Sequence, residues 1–227
     1  MSMIIPLGVE AIRDALTVIN SGGLVIVPTE TFYGIAADPF YADTPDTPDT
    51  PDTPNTPYTP YTPDTITKLL RVKGREPGKP VPLIADTPET ALSACRTVHP
   101  QFHSIAGKFW PGPLTLILEA KPEIPEAVTA GTGTVGIRVP GPSFALDLVR
   151  AHMGLLTATS ANRAGDPPPL SVDQIDPELV RMVDLVVDGG PSPGGQPSTL
   201  LDLTVDPPRI LRQGALYEEV CEFMDIK

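Results

Sequence analysis

The sequence predicts a single α/β domain in which helices pack on a twisted, mixed sheet. Short apolar runs bounded by Gly, Pro and polar residues indicate buried strands; one is Leu24–Val27, which Pro28 closes. Apolar residues recurring every three or four positions indicate helices between such runs. Strands and helices do not alternate strictly, which favours a mixed sheet over a purely parallel one. The 227 residues suit one well-buried domain, which we expect to span positions 1–227.

The elements follow in chain order. A first helix is predicted before Gly22-Gly23 from apolar residues at helical spacing, namely Val9, Ile12, Leu16 and Ile19. A second helix should begin at Thr62-Pro63-Asp64, a sequence with a capping Thr and a Pro suited to the first turn, and end at Gly74. Its buried stripe is Ile66, Leu69 and Leu70. Further strands are expected at Leu114–Leu118, Val135–Val139, Leu155–Thr159, Leu185–Asp188 and Thr199–Leu203. Further helices are expected near Pro100–Phe109, Ser143–His152, Glu178–Met182 and Ala215–Phe223.

A low-complexity repeat interrupts the domain at Thr44–Asp64. It consists of seven Thr-Pro-x triplets, and Pro at every third position disfavours both helix and sheet. The segment is therefore predicted to be polyproline-II-like or disordered. One interpretation is an expanded repeat tolerated in a surface loop. The other is a mobile flap over a site, in which Tyr58 and Tyr61 are the residues able to pack against the domain or a ligand.

Positive charge is concentrated in one short segment of an acidic chain. The chain has 16 Lys and Arg against 28 Asp and Glu, a net charge of −12. Five of the bases fall within twelve residues: Lys68, Arg71, Lys73, Arg75 and Lys79. The local excess favours a site for a polyanion over the alternative, a solvated helix face with incidental charge. The overall charge argues against a protein that holds a long nucleic acid by its general surface.

The remaining composition indicates an ordinary cytoplasmic protein. The longest apolar runs are too short to span a membrane, and the N-terminus does not resemble a signal peptide. Cys95 and Cys221 lack metal-ligand or redox spacing, so two reduced thiols are expected. The three histidines also lack metal-ligand spacing, and no protein metal site is predicted.

Polar or Gly-rich segments at the ends of predicted strands supply the candidate site. They are Pro28–Gly34, Lys73-Gly74-Arg75 with Lys79, Thr134 with Arg138, Thr159–Asn162, Gly189-Gly190-Pro191, Ser198-Thr199 and Arg212-Gln213-Gly214. A single Arg among apolar strand residues, such as Arg138, needs either a carboxylate partner or an anionic ligand. The set is rich in cations and hydroxyls and poor in nucleophiles. Such a site suits positioning and charge neutralisation, as in nucleotidyl transfer.

Taken together, ordered blocks of the chain resemble the YrdC-like threonylcarbamoyl-AMP synthases. The blocks are Gly22–Gly34, Lys73-Gly74-Arg75, Trp110–Thr115, Val135–Pro140, Ser160-Ala161-Asn162, Asp188–Pro191, Ser198-Thr199 and Leu211-Arg212. The resemblance implies a single-domain α/β fold whose twisted sheet encloses a basic cavity, without the C-terminal extension of longer members. It also implies a reaction in which L-threonine, bicarbonate or CO₂, and ATP give threonylcarbamoyl-AMP and pyrophosphate. The product serves N6-threonylcarbamoylation of adenosine-37 in tRNA.

The resemblance also implies roles for individual residues. Lys73 and Arg75 are the expected catalytic cations, acting on the triphosphate together with Mg²⁺. Threonine would contact Thr31, Arg138 and Ser198. ATP would contact Arg75, Lys79, Thr134, Ser160, Asn162 and Arg212. The chain departs from the pattern at Ile84 and Pro168, where some members have a threonine-contacting His and an ATP-contacting Ser.

The implied partners are ATP, L-threonine, bicarbonate and downstream tRNA threonylcarbamoyltransferase proteins. A weak direct contact with tRNA is compatible with these partners.

Two alternatives belong to other classes. One is a non-catalytic protein that binds tRNA or rRNA through the basic cavity, which the acidic composition disfavours. The other is an enzyme that forms a carbamoyl-adenylate for another acceptor.

Overall fold

Two mixed β-sheets flanked by helices form the part of the chain that the computed structural model describes, residues 3–41, 64–74 and 78–226. The strands are β1 Met3–Pro6, β2 Val25–Pro28, β3 Tyr33–Ala36, β4 Leu83–Ile84, β5 Leu114–Glu119, β6 Thr134–Arg138, β7 Leu156–Thr157, β8 Thr159–Ser160, β9 Leu185–Asp188, β10 Thr199–Asp202 and β11 Arg209–Arg212. The helices are α1 Ala11–Ile19, α2 Asp64–Val72, α3 Pro88–Leu92, α4 Phe102–Phe109, α5 Glu126–Thr129, α6 Phe144–His152, α7 Pro177–Met182 and α8 Tyr217–Met224, and a 3₁₀ turn spans Val172–Gln174. The predicted α/β class is confirmed.

The five-stranded sheet has the order β1-β9-β2-β3-β8. Strand β9 pairs in parallel with β1 and β2, and β2 pairs antiparallel with β3. Ile26 of β2 lies opposite Val186 on one side and Ile35 on the other. This interior position explains why β2 is an unbroken apolar run, since a strand covered on both faces has no polar side.

The six-stranded sheet has the order β11-β10-β5-β6-β4-β7. Strand β5 pairs in parallel with β10 and antiparallel with β6, while β6 pairs in parallel with β4. The predicted strands at 114–118, 135–139 and 199–203 lie here within one residue of the observed bounds. The two-residue strand β4 was not predicted, because so short a segment has no periodicity to detect.

The prediction of one sheet and one strand at Leu155–Thr159 was wrong, because this segment connects two sheets. Leu156–Thr157 pairs with β4 of the six-stranded sheet, whereas Thr159–Ser160 pairs with β3 of the five-stranded sheet. Between them the Thr157 amide donates to Ala37 O at 2.9 Å and the Ala158 amide to Pro82 O at 3.0 Å. An apolar run indicates burial but does not specify which strands will pair with it.

Helix α1 begins two residues later than the apolar spacing suggests. Val9 is 99% exposed and lies before the helix, where the Ala11 amide donates to Gly8 O at 3.1 Å. The buried face is formed by Ala11, Ala15 and Ile19. The small alanines were overlooked as core residues, although they permit close packing of the helix.

Helix α2 directly precedes the candidate phosphate-binding segment. Ile66 and Leu69 are fully buried as predicted, and Gly74 follows the helix with a φ of 56°. Lys68, one of the five bases of the cluster, forms an ion pair with Asp184, Nζ to Oδ2 at 2.6 Å. The expected capping residues Thr62 and Pro63, and the repeat up to Pro63, lie outside the described residues. None of the helices in the described ranges has both the length and the apolar character needed to cross a bilayer.

Candidate active site

A cavity of about 1200 Å³ lies between the two sheets and takes its walls from both. Strands β3 and β8 contribute from the five-stranded sheet, and β5, β6, β10 and β11 from the six-stranded sheet. Nine of the ten site residues expected from the sequence line it, namely Thr31, Lys73, Lys79, Thr134, Arg138, Ser160, Asn162, Ser198 and Arg212. The tenth, Arg75, lies outside the described residues. Segments far apart in the chain therefore meet around one space.

The charged side chains among the described lining residues are mostly cationic. They are Lys73, Lys79, Arg138 and Arg212, against the single carboxylate of Asp202. Lys79 is exposed, whereas Lys73 and Arg138 are buried. The cations therefore extend from the buried wall of the cavity towards solvent.

Lys73 is buried at the end of α2, and its ammonium group reaches the segment after β8. Nζ donates to Ser160 O and lies 3.3 Å from Asn162 Oδ1. The Asn162 amide in turn donates to Asp166 O at 2.5 Å and to Arg163 O at 3.1 Å. These two oxygens orient the buried ammonium at the wall of the cavity that Lys73 lines.

Arg138 ends β6 and forms an ion pair with Glu30, which lies between β2 and β3. Nη1 donates to Oε1, and the two side chains are only 10% and 12% exposed. Burial lowers the pKa of the Arg138 guanidinium below its ordinary value, and the Glu30 carboxylate opposes that shift. Of the two partners that the sequence left open for Arg138, the structure provides a carboxylate.

Two hydroxyls organise the turn that carries Glu30. Thr29 Oγ1 accepts the amides of Thr31 and Phe32 at 3.1 and 3.2 Å and donates to Phe32 O at 2.8 Å. Thr31 Oγ1 lies 3.1 Å from Thr29 Oγ1, and both residues line the cavity. This side-chain-to-backbone turn fixes Thr31 immediately after the strand, because the hydroxyl replaces a backbone partner.

Ser198 lies at the centre of a second polar group at the start of β10. Its Oγ is 2.9 Å from Thr115 Oγ1 and accepts from Arg212 Nη2 at 2.9 Å, while Arg212 Nε donates to Ser198 O at 3.0 Å. Burial lowers the pKa of Arg212, and the neighbouring charge of Arg138 lowers it further. Two guanidinium groups are thus held near each other on the cavity wall.

Thr29 and Glu30 lie in the candidate segment Pro28–Gly34, and Thr115 lies in the block Trp110–Thr115, but the sequence assigned none of the three an individual role. Their signal was a polar residue at a strand end, which local pattern alone does not distinguish from a turn. Pro168 and Ile84 are the two positions at which the chain departs from the family pattern. Pro168 lines the cavity, whereas Ile84 is buried in β4 opposite Arg138. Within the described parts of the chain, no three His, Cys, Asp or Glu residues are grouped as a metal site.

The fold defines an α/β protein with a large cavity between two mixed sheets. The profile of the Sua5/YciO/YrdC family, described as "Telomere recombination", matches residues 59–214. The chain belongs to this family.

Relatives cover most of the chain. It is 30% identical over 211 residues to a threonylcarbamoyl-AMP synthase of Pyrococcus abyssi, covering 93% of this chain and 56% of the relative. It is 31% identical over 210 residues to a putative threonylcarbamoyl-AMP synthase of Mycobacterium tuberculosis, covering 92% and 87%. The crystal structure of P. abyssi Sua5 complexed with L-threonine superposes with a TM-score of 0.80 at 29% identity, covering 98% of this chain and 60% of that one. The chain thus spans little more than half of the Pyrococcus protein.

Proposed function

We propose that this chain is a threonylcarbamoyl-AMP synthase, a nucleotidyltransferase that converts L-threonine, bicarbonate and ATP into L-threonylcarbamoyl-AMP and pyrophosphate. The observation that carries the proposal is that residues expected to contact threonine and residues expected to contact ATP line one cavity. The threonylcarbamoyl-AMP synthases among the relatives support the same reaction.

The chemistry requires like charges to be brought together. The threonine amine attacks the carbon of bicarbonate and water leaves, which gives a carbamate. A carbamate oxygen then attacks the α-phosphorus of ATP, and the bond to the departing pyrophosphate breaks. Both nucleophile and electrophile are anionic, so the cavity must neutralise charge and align the groups. The described lining provides four cations for this purpose and no pair of residues arranged for covalent catalysis.

Threonine is assigned to the wall formed by Thr31, Arg138 and Ser198. Arg138 has the planar donor fork that suits the amino-acid carboxylate, and the two hydroxyls belong to the two polar groups described above, which line the same cavity. The L-threonine in the P. abyssi Sua5 crystal structure supports this ligand. ATP is assigned to Lys79, Thr134, Ser160, Asn162 and Arg212, together with Arg75.

Lys73 is assigned to the triphosphate. Its ammonium is already oriented by Ser160 O and Asn162 Oδ1 before any ligand arrives. Preorganised charge needs little rearrangement as negative charge develops on the departing pyrophosphate.

We assign Mg²⁺ to the ATP substrate. The carboxylate of Asp202 in the cavity already accepts the Thr204 amide at 2.9 Å and the Thr204 hydroxyl at 2.6 Å. Mg²⁺ is commonly held by substrate phosphates with few protein ligands, so entry as Mg·ATP is compatible with this lining. The product would pass to tRNA threonylcarbamoyltransferase proteins, and we propose the cytoplasm as the location and tRNA as at most a weak direct ligand.

Mass spectrometry tests the reaction. The purified protein is mixed with Mg·ATP, threonine and ¹³C-bicarbonate, and we expect a threonylcarbamoyl-AMP peak that carries the label and disappears when any component is omitted. Lys73→Ala serves as the inactive control. Hydrolysis of ATP without this product, or tight Mg²⁺-independent tRNA binding without turnover, would reject the proposal in favour of another class.

A further inference from the structure

The Glu30–Arg138 pair joins the two sheets at the wall of the cavity. Glu30 follows β2 of the five-stranded sheet, and Arg138 ends β6 of the six-stranded sheet. Arg138 lines the cavity, whereas Glu30 does not appear among its lining residues. The carboxylate therefore lies behind the guanidinium rather than in the ligand space.

Gly141 makes room for this arrangement. A Cβ built on Gly141 would lie 3.0 Å from Glu30 Cγ and 3.3 Å from Glu30 Cβ. Both distances are tighter than ordinary carbon contacts, so any side chain at 141 would push Glu30. The backbone three residues after Arg138 thus leaves space for the Glu30 side chain only because residue 141 has no Cβ.

The pair also bears on the second guanidinium. Arg212 is close enough to Arg138 for its charge to lower the Arg212 pKa. In the described residues, Glu30 is the carboxylate that pairs with Arg138, and nothing else there forms an ion pair with it. Without that carboxylate the buried Arg138 guanidinium would lose the ion pair that holds it, beside a second cation on the same cavity wall.

The pair is poorly suited to a purely stabilising role. Glu30 Oε2 is buried and finds no donor among the described residues, so only one oxygen is satisfied. Buried ion pairs contribute to stability when all of their groups are well paired. Retaining a half-satisfied carboxylate here indicates that its position relative to Arg138 is what matters.

We infer that Glu30 is a positioning residue that orients Arg138 for the carboxylate of the amino-acid substrate. This rests on the proposed function for the identity of the substrate. Removing Glu30 would also add net positive charge, which alone would favour an anion. Loss of orientation outweighs this gain, because a displacement of about 1 Å can cost orders of magnitude in rate.

The experiment compares the KM for threonine with the KM for ATP in variants of Glu30 and Gly141. In Glu30→Gln, which keeps the shape and removes the charge, we expect the KM for threonine to rise about tenfold or more while the KM for ATP changes by less than about threefold. Gly141→Ala keeps Glu30 but displaces it, so it should shift the threonine KM in the same direction. In a Glu30→Ala background, Gly141→Ala should add less further loss than in the wild type, because the closest atom, Cγ at 3.0 Å, and the carboxylate that it would displace are gone and only the 3.3 Å contact with Cβ remains.

Matched controls are Glu10→Gln, which neutralises the exposed carboxylate that faces Arg13 at 3.3 Å, and Gly107→Ala, where nothing lies within 4 Å of the added Cβ. Both should leave both KM values unchanged. Calorimetric binding of threonine alone gives a readout independent of turnover, and the Tm of each variant shows whether it is folded. An unchanged or lower threonine KM in Glu30→Gln, or equal rises for threonine and ATP with a lower Tm, would overturn the inference. A wild-type protein that makes no threonylcarbamoyl-AMP would instead reject the proposed function.

Discussion

Arg212 donates two hydrogen bonds to Ser198, from Nε to the carbonyl oxygen at 3.0 Å and from Nη2 to Oγ at 2.9 Å. One residue is assigned to ATP and the other to threonine, so this contact links the two halves of the proposed site. The link has a physical basis in the antiparallel pairing of β10 with β11, which brings the residues together across 14 positions of sequence.

Arg212→Lys should impair the use of both substrates, threonine and ATP. A lysine can replace the charge but not the two-pronged contact, and losing one charge-assisted hydrogen bond costs about 1.5 kcal/mol. We expect kcat/KM for threonine and for ATP each to fall about tenfold, measured by pyrophosphate release. A change confined to one substrate would contradict the proposed link.

Lys73→Ala should nearly abolish the reaction. Its buried ammonium is oriented by Ser160 O and Asn162 Oδ1, and loss of such a preorganised group typically costs on the order of 100-fold or more in rate. Threonine-dependent pyrophosphate release provides the measurement, and the same loss is predicted for Arg75→Ala. Near-wild-type rates would remove both residues from the catalytic assignment.

Gly214→Ala should destabilise the protein and impair the site. A Cβ at 214 would lie 2.3 Å from Pro197 O and 2.5 Å from Ser198 C and Thr199 N, where rigid backbone cannot yield easily. We expect a loss of about 2 kcal/mol in the free energy of unfolding by urea titration, accompanied by a higher threonine KM. Gly107→Ala is the control, since the added methyl there meets open space.

The two cysteines should differ in reactivity. Burial raises the pKa of Cys95 to about 11, so very little thiolate exists at pH 8, whereas the Cys221 side chain is half-buried. A native alkylation experiment should modify Cys221 first and Cys95 only after unfolding. Because the pKa of Cys95 is higher in the folded state, its contribution to stability is complete below the ordinary thiol pKa and is lost as the pH rises towards 11. Urea titrations at pH 8 and pH 10 should show that decrease, and it should be smaller in Cys95→Ala.

Removing the repeat should leave the reaction within a few-fold of the full chain. The deletion should stop at Tyr61, because Asp64 is the first residue of α2 and the preceding Thr62 and Pro63 suit the helix start. The triplets lack core-forming residues, which is the reason for expecting tolerance. A large loss of activity with an unchanged Tm would favour the flap interpretation.

The local sequence pattern was sufficient to predict elements with a clear apolar run, such as β9. Strand β9 at Leu185–Asp188 and the core residues Ile66 and Leu69 were anticipated, since apolar spacing reports directly on burial. It was insufficient for the short strands β4, β7 and β8, which exist only because neighbouring strands supply hydrogen bonds. The strand predicted at Leu155–Thr159 failed for that reason.

By itself, the sequence determined the α/β class, the basic segment after the repeat and the polar strand ends that form the candidate site. Only the tertiary structure decided which groups meet. Glu30 pairs with Arg138 across 108 positions, Lys73 with Ser160 across 87, and Thr115 with Ser198 across 83. A charge or hydroxyl predicted to be buried must have a hydrogen-bonding or ionic partner. Which residue becomes that partner depends on how the two sheets pack around the cavity. That selection depends on packing over the whole chain and leaves no signature in any local stretch of residues.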